Sequence, residues 1–253
     1  MQIDKSKKFR EFFDAKNEAR KIDFLVLHHV EATSAQHAID QFAAHQVSSH
    51  FLIDESGNIF QLVEENDVAY HAGVSFWKGI EGLNASSIGI EFVNSAPFEK
   101  KFTAAQMQSG VELSKYLIAK YNIIPSNVVG HSDIAYLREN GFLDRKQDPS
   151  HLFDWKFLSE NAIGIFPDVT ATQEKLFEFG NSDEKIGATK ENLKKFGYRV
   201  LNLNDEFDQE MQALAIVFNR RFISQDLNFW CARSQAILEK LLTQIRTRPK
   251  NQS

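Results

Sequence analysis

The chain has 253 residues, 43% of them hydrophobic and 25% charged, with a formal net charge of −5. That is the composition of a folded protein with a sizeable core, arranged as one large or two modest domains. Basic residues are interspersed with acidic ones, so nothing supplies the concentrated positive charge that a nucleic-acid partner requires, and a lone cysteine, Cys231, precludes an intrachain disulfide.

Twenty-two Phe against five Pro and twelve Gly point to dense packing rather than disorder. No stretch reaches the roughly 20 apolar residues of a transmembrane helix. Met1 to Arg10 is polar and lacks the apolar region of a secretory signal. As written, the sequence therefore reads as cytoplasmic; a processed form would read as periplasmic or envelope-located. Arg246, Arg248 and Lys250 form a short basic tail.

Phe24 to His28 (FLVLH) is a short apolar run with the pattern of a buried strand. Ser34 to Gln46 spaces Ala35, Ala38, Ile39 and Phe42 as one face of a helix. His50 to Val63 reads as a hairpin, HFLID and IFQLV joined through Glu55 to Asn58. Ser87 to Val93 (SIGIEFV) is a further strand. Thr103 opens a helix with Gln106 completing a capping box, and Asn122 and Pro125 end it. Val128 to Gly130 runs as a short strand into His131. These elements predict an α/β domain over residues 1–166, a mixed central β-sheet flanked by helices.

Around Gly164 to Asp168 (GIFPD) the character changes. No strong strand signal follows, and helices are predicted at Thr172–Phe179, Thr189–Phe196, Asp208–Arg221 and Ser234–Arg246. Residues 167–253 thus read as a small all-α domain, serving either in binding or only in packing against the first.

A zinc hydrolase needs three protein ligands, an open position and a group that moves protons. His28 ends the FLVLH strand, and strand alternation puts His28 and His29 on opposite faces. One of the two is a ligand candidate, and the other packs or hydrogen-bonds. His131 ends another strand. Asp148 precedes Pro149, which biases it to an extended conformation and places Lys146 on the same side. Glu91 interrupts an apolar strand, where a carboxylate is costly to bury unless paired or hydrogen-bonded. Gly89 shares its face and is expected to leave room for a substrate or water. A general acid or base is the functional reading of Glu91; an exposed edge-strand carboxylate is the alternative.

Taken together, LHHVE, SSHFLIDESGNIFQLV, AYHAG, NASSIGIEFVN, GHSDIA and RKQDPSHLFDW resemble, in order, the zinc-dependent N-acetylmuramoyl-L-alanine amidases of the AmpD/AmiD type. Those enzymes share a peptidoglycan recognition protein/T7 lysozyme-like fold. The resemblance implies one Zn²⁺ per chain on His28, His131 and Asp148, with Glu91 and Lys146 as catalytic residues. It implies attack of an activated water on the lactyl carbonyl, Glu91 relaying a proton and Lys146 helping to stabilise the oxyanion. Peptidoglycan or muropeptides would be the partner, and the protein a monomer. His71, Asn84 and Trp77 are expected to line the substrate groove, Trp77 either stacking on a sugar or serving in the core. His37 and His45 are expected on the surface, and His50 and His151 in structural hydrogen bonds.

The chain departs from the pattern in places. Residues 136–143 form an insertion before Asp144, Ser49 stands where relatives often carry tyrosine, and the lipoprotein signal usual in AmiD-type enzymes is not seen. Diffuse similarity in GIFPD, NLKKFGY and ALAIVFNRRF links the second part to the helical peptidoglycan-binding-like domain of the AmiD subgroup. A non-catalytic peptidoglycan-binding protein is the alternative; loss of a ligand or of the Glu would mark it, and this chain keeps both.

Overall fold

The computed structural model describes residues 1–8, 12–15, 19–136 and 145–246. Residues 137–143 of the insertion, Asp144, and the tail residues Arg248 and Lys250 lie outside the described residues. Short strands β1 (Ile3–Asp4) and β2 (Phe13–Asp14) precede β3 (Phe24–Glu31). Helix α1 (Ala35–His45) starts at Ser34, whose hydroxyl accepts the His37 N–H, and ends at Gln46 in the left-handed region. Strands β4 (Phe51–Ile53) and β5 (Ile59–Gln61) form the expected hairpin. Its turn is held by Asp54 Oδ1, which accepts the Ser56 and Asn58 N–H groups at 2.9 Å each.

Three short strands follow: β6 (Val68–Ala69), β7 (Phe76–Trp77) and β8 (Ile80–Glu81). They lead to β9 (Ser87–Asn94), which is buried along its whole length. Helix α2 (Ala104–Tyr121) carries the predicted capping box between Thr103 and Gln106 and ends at Asn122 with positive φ. Then come β10 (Val128–Gly130), α3 (His131–Ile134) and α4 (Trp155–Glu160). The remainder comprises β11 (Lys175–Phe177), α5 (Glu184–Phe196), α6 (Gln209–Phe222), β12 (Trp230–Cys231) and α7 (Ala232–Arg246). Among the described residues no helix is long and apolar enough to cross a membrane.

One prediction is corrected here. Residues 172–179 do not form a helix; Lys175–Phe177 pairs antiparallel with Trp230–Cys231 instead. Leu176 and Phe179 remain 41% and 55% exposed, so this stretch has no apolar face to bury as a helix. The second part is helical with one two-stranded ladder rather than all-α.

The central sheet has the order β1-β5-β4-β9-β3-β10. Strands β4, β9, β3 and β10 run parallel to their neighbours, and β5 turns back antiparallel on β4. Alternation sends Leu25, Leu27, Ile88, Ile90 and Phe92 to one face, where they join Met107, Val111 and Leu117 of α2 in one cluster. The opposite face has three zones. Phe24 and Val26 join Leu193, Phe196, Leu214 and Phe218 of the C-terminal helices. Val30, Leu52 and Val93 pack against Ala35, Ala38 and Phe42 of α1. Between these two covers lie His28, Gly89 and Glu91.

Candidate active site and metal centre

The parallel register of β3 and β9 sets His28 directly opposite Glu91, and β10 pairs Gly130 with Leu27 one position away. His131 begins α3 immediately after β10, so the two imidazoles meet over the carboxyl ends of parallel strands, with ring centroids 4.5 Å apart. Open α/β sheets place their sites at such strand ends. Asp148 reaches the same point. Its Oδ2 lies 3.1 Å from His28 Nδ1 and 3.0 Å from His131 Nδ1. The Asp148 carbonyl also accepts the Ser132 N–H at 2.8 Å, tying its segment to the turn that bears His131.

Hydrogen bonds on the far side of each ring assign the tautomers. His131 Nε2 lies 3.2 Å from the Ala72 carbonyl and must donate to it, leaving a lone pair on Nδ1. The Ser87 hydroxyl donates to the Leu83 carbonyl at 2.7 Å, so its oxygen accepts from His71 Nε2 at 3.1 Å. His71 Nδ1 is then the acceptor for His28 Nε2–H at 3.0 Å, and His28 Nδ1 also carries a lone pair. Burial, then the neighbouring His131, pushes the His28 imidazolium down to about 4, while Asp148 pulls the other way. Burial and the adjacent His28 hold His71 well below its ordinary value, so both rings are neutral at pH 7.

With those tautomers, two imidazole nitrogens and a carboxylate oxygen converge as acceptors on one point, an arrangement that could hold a metal ion. The three ligand atoms lie within 4.8 Å of one another. Bonds of about 2.0–2.2 Å in tetrahedral geometry put zinc ligand atoms about 3.3 Å apart, which the two shorter separations approach. The N, N, O donor set fits the three protein ligands of a catalytic Zn²⁺ site.

Glu91 Oε1 lies 3.9 Å from His28 Nδ1, on the metal side of the ring, with the side chain 10% exposed. Burial, then the Asp148 charge, raises its proton affinity well above that of an ordinary Glu, and Lys146 opposes the rise. The Lys146 charge also acts on His28, where it is the smallest of the influences. Gln147 between Lys146 and Asp148 is exposed, as the extended backbone predicts.

His29 points to the other face, beside Phe98 and Phe102. His37 and His45 are exposed. His50 Nδ1 accepts the Gly89 N–H at 3.1 Å, and His151 Nδ1 lies 3.3 Å from Asp226 Oδ2. The hydroxyl-bearing side chain of Ser49 is fully buried.

Three readings of the groove are corrected. Trp77 is 0% exposed, donates its indole N–H to Ser126 O at 3.0 Å and packs edge-on to Phe196 and Tyr198, so it has no face free to stack on a sugar. His71 sits beneath His28 and orients it rather than lining an open groove. The space beside Gly89 is filled: a Cβ there would stand 2.6 Å from Cγ of His71. Asn84 holds this arrangement, its Oδ1 accepting the His71 and Ala72 N–H groups at 3.1 and 2.7 Å. Sequence reasoning missed Ser87 as the end of the relay, although its place on the face of Glu91 was visible from strand alternation.

Residues 18–151 match the family model of N-acetylmuramoyl-L-alanine amidases. The chain is 34% identical over 244 residues to the N-acetylmuramoyl-L-alanine amidase AmiD of Escherichia coli K12, covering 88% of this chain and 83% of that protein. It is 34% identical over 164 residues to the 1,6-anhydro-N-acetylmuramyl-L-alanine amidase AmpD of Haemophilus influenzae, covering 57% of this chain and 84% of that one. The structure superposes with a TM-score of 0.75 and 31% identity on E. coli AmiD in complex with the substrate anhydro-N-acetylmuramic acid-L-Ala-D-γ-Glu-L-Lys, covering 91% and 92% of the two chains. With this match across fold and sequence, the chain belongs to the N-acetylmuramoyl-L-alanine amidase family.

Proposed function

We propose that the protein hydrolyses the amide between the lactyl group of N-acetylmuramic or 1,6-anhydro-N-acetylmuramic acid and L-alanine, acting as a zinc-dependent monomer on muropeptides in cell-wall turnover. The observation that carries this reading is the convergence of His28 Nδ1, His131 Nδ1 and Asp148 Oδ2 with the Glu91 carboxylate beside them. Likeness to an amidase solved with an anhydro-muropeptide supports the substrate class.

His28, His131 and Asp148 would hold the ion, which when bound polarises the carbonyl and lowers the pKa of water. Glu91 accepts a proton at Oε1 from the attacking water, and its raised proton affinity suits it to hold that proton until the amine departs. Lys146 places positive charge where the carbonyl oxygen becomes anionic. Strand pairing of β3 with β9 fixes Glu91 against His28 before substrate arrives, so little reorganisation accompanies reaction. Residues 1–166 would form the catalytic unit and 167–253 a helical peptidoglycan-binding-like unit.

The test is mass spectrometry of anhydro-muropeptide incubated with the protein, with chelator, and with chelator followed by zinc. Release of stem peptide that chelator abolishes and zinc restores is expected. Release that survives exhaustive chelation would refute zinc dependence. Absence of release from both anhydro-muropeptide and sacculi would refute the proposed substrate.

A further inference from the structure

The turn that presents His131 is gripped by the helical segment. Asp133, two residues beyond His131 in α3, is fully buried. Its Oδ2 accepts the Gly130 N–H at 2.7 Å, closing the start of α3 immediately before the ligand. The same oxygen is paired with the guanidinium of Arg221, in the last turn of α6. Its Oδ1 accepts the Tyr198 hydroxyl at 2.9 Å, just beyond α5.

Arg221 is 2% exposed, donates to the Val128 carbonyl at 2.8 Å and lies over the Trp155 ring at 4.3 Å. Both ends of β10 are thus tied to the helical segment, Val128 directly and Gly130 through Asp133. A Cβ at Gly130 would stand 2.9 Å from Pro149 Cδ, 3.1 Å from Trp155 and 3.4 Å from Asp133 Oδ2. Only a residue without a Cβ fits here, so Gly130 packs closely against both the Asp148–Pro149 segment and the clamp. The metal-bearing turn is wedged between the Asp148–Pro149 segment and a buried Asp–Arg–Tyr clamp whose Arg and Tyr come from residues beyond 166.

We propose that Arg221 and Tyr198 are positioning residues of the metal centre, acting through Asp133 on His131, so that the helical segment completes the site as well as packing against it. A buried carboxylate that loses its cationic partner reorganises or draws in water. Here the carboxylate that would move caps the first turn of a four-residue helix whose first residue is the ligand. Local rearrangement reaches Nδ1 of His131 directly. The proposal rests on the zinc reading above.

The experiment compares full-length wild type with Arg221→Met, Arg221→Lys and Tyr198→Phe. Zinc affinity is measured by competition with a chromophoric chelator, and site geometry by the visible spectrum of the cobalt-substituted protein. Outer-shell partners of metal ligands are worth 10–100-fold in affinity, so a loss of roughly 10-fold or more is expected for Arg221→Met and about 3-fold for Tyr198→Phe. Arg221→Lys, which keeps the charge, should recover part of the loss. Tyr198→Phe removes a single hydroxyl and keeps the ring, so it decides the matter if Arg221→Met does not fold.

A purely structural clamp would lower thermal stability equally with and without zinc and leave zinc affinity and the cobalt spectrum unchanged. That result would overturn the proposal. Failure of wild type to bind zinc at all would instead overturn the reading on which it rests.

Discussion

His28 and Glu91 stand directly opposite each other in the parallel pairing of β3 and β9, with Glu91 Oε1 3.9 Å from the ring nitrogen that faces the metal position. Their relation is set by backbone hydrogen bonds that neither side chain makes. It should therefore survive substitution of either side chain, which separates binding from chemistry. Glu91→Gln should keep zinc at one per chain while lowering turnover by about 10²–10⁴-fold, the usual contribution of a positioned acid–base group. His131→Ala should lose both. Metal content by mass spectrometry and initial rates on anhydro-muropeptide check the pair, and near-wild-type turnover in Glu91→Gln would remove its role.

The relay from His28 through His71 to Ser87 makes a different prediction. Ser87→Ala removes the acceptor of His71 Nε2–H and the hydroxyl that donates to the Leu83 carbonyl. With the tautomer of His71 no longer imposed, His28 loses its bias to present Nδ1. Zinc affinity should fall by roughly 10-fold, with KM for muropeptide little changed. Nitrogen chemical shifts of His28 should report a mixture of tautomers. A change confined to KM would mean that His71 touches substrate instead.

Trp77 is expected to act on stability alone. Trp77→Ala should cost about 3–5 kcal/mol of unfolding free energy, the range for truncating a large aromatic in a core. Its ring packs on Phe196 and Tyr198 from the helical part, so the loss should appear in chemical denaturation as loosening of that packing. KM measured on the folded fraction should not move. A selective rise in KM at unchanged stability would restore the sugar-stacking role.

Acid should weaken the helical part through Asp208. This residue caps α6 by accepting the Met211 N–H and pairs at 3.0 Å with the fully buried Lys190. Burial pushes its carboxyl up, but the Met211 N–H, Lys190 and Asn204 outweigh burial and hold it below its ordinary 3.8. A carboxyl depressed in the folded state contributes stability above its unfolded value, lost as pH falls through the folded one. The wild type should therefore lose urea resistance below about pH 4, and Asp208→Asn should show a shallower slope there. Nearby Glu210 has the opposite sign, raised by burial, so it does not account for that loss. Identical acid slopes would refute the assignment.

Much of the site was legible before any coordinates. Period-two alternation separated His28 from His29 and placed Glu91 with Ser87 and Gly89 on one face, and the structure keeps that arrangement. Capping chemistry located α2 at both ends. These are local properties, decided by residues a few positions apart. The failures share one cause. Trp77 and the 172–179 stretch were read by residue type and neighbourhood, but their environments are supplied by partners far along the chain, Phe196 and Tyr198 for one and Trp230–Cys231 for the other.

By itself the sequence determined strands β3, β4, β5, β9 and β10 of the central sheet, which face their residues take and which donor types are present. These follow from backbone period and side-chain chemistry. Only the tertiary structure decided which ring nitrogen faces the metal position, what fills the space over Gly89, and that Arg221 holds the turn bearing His131. Those outcomes depend on register between distant strands and on closing a buried charge with a partner 88 residues away, which no local pattern encodes.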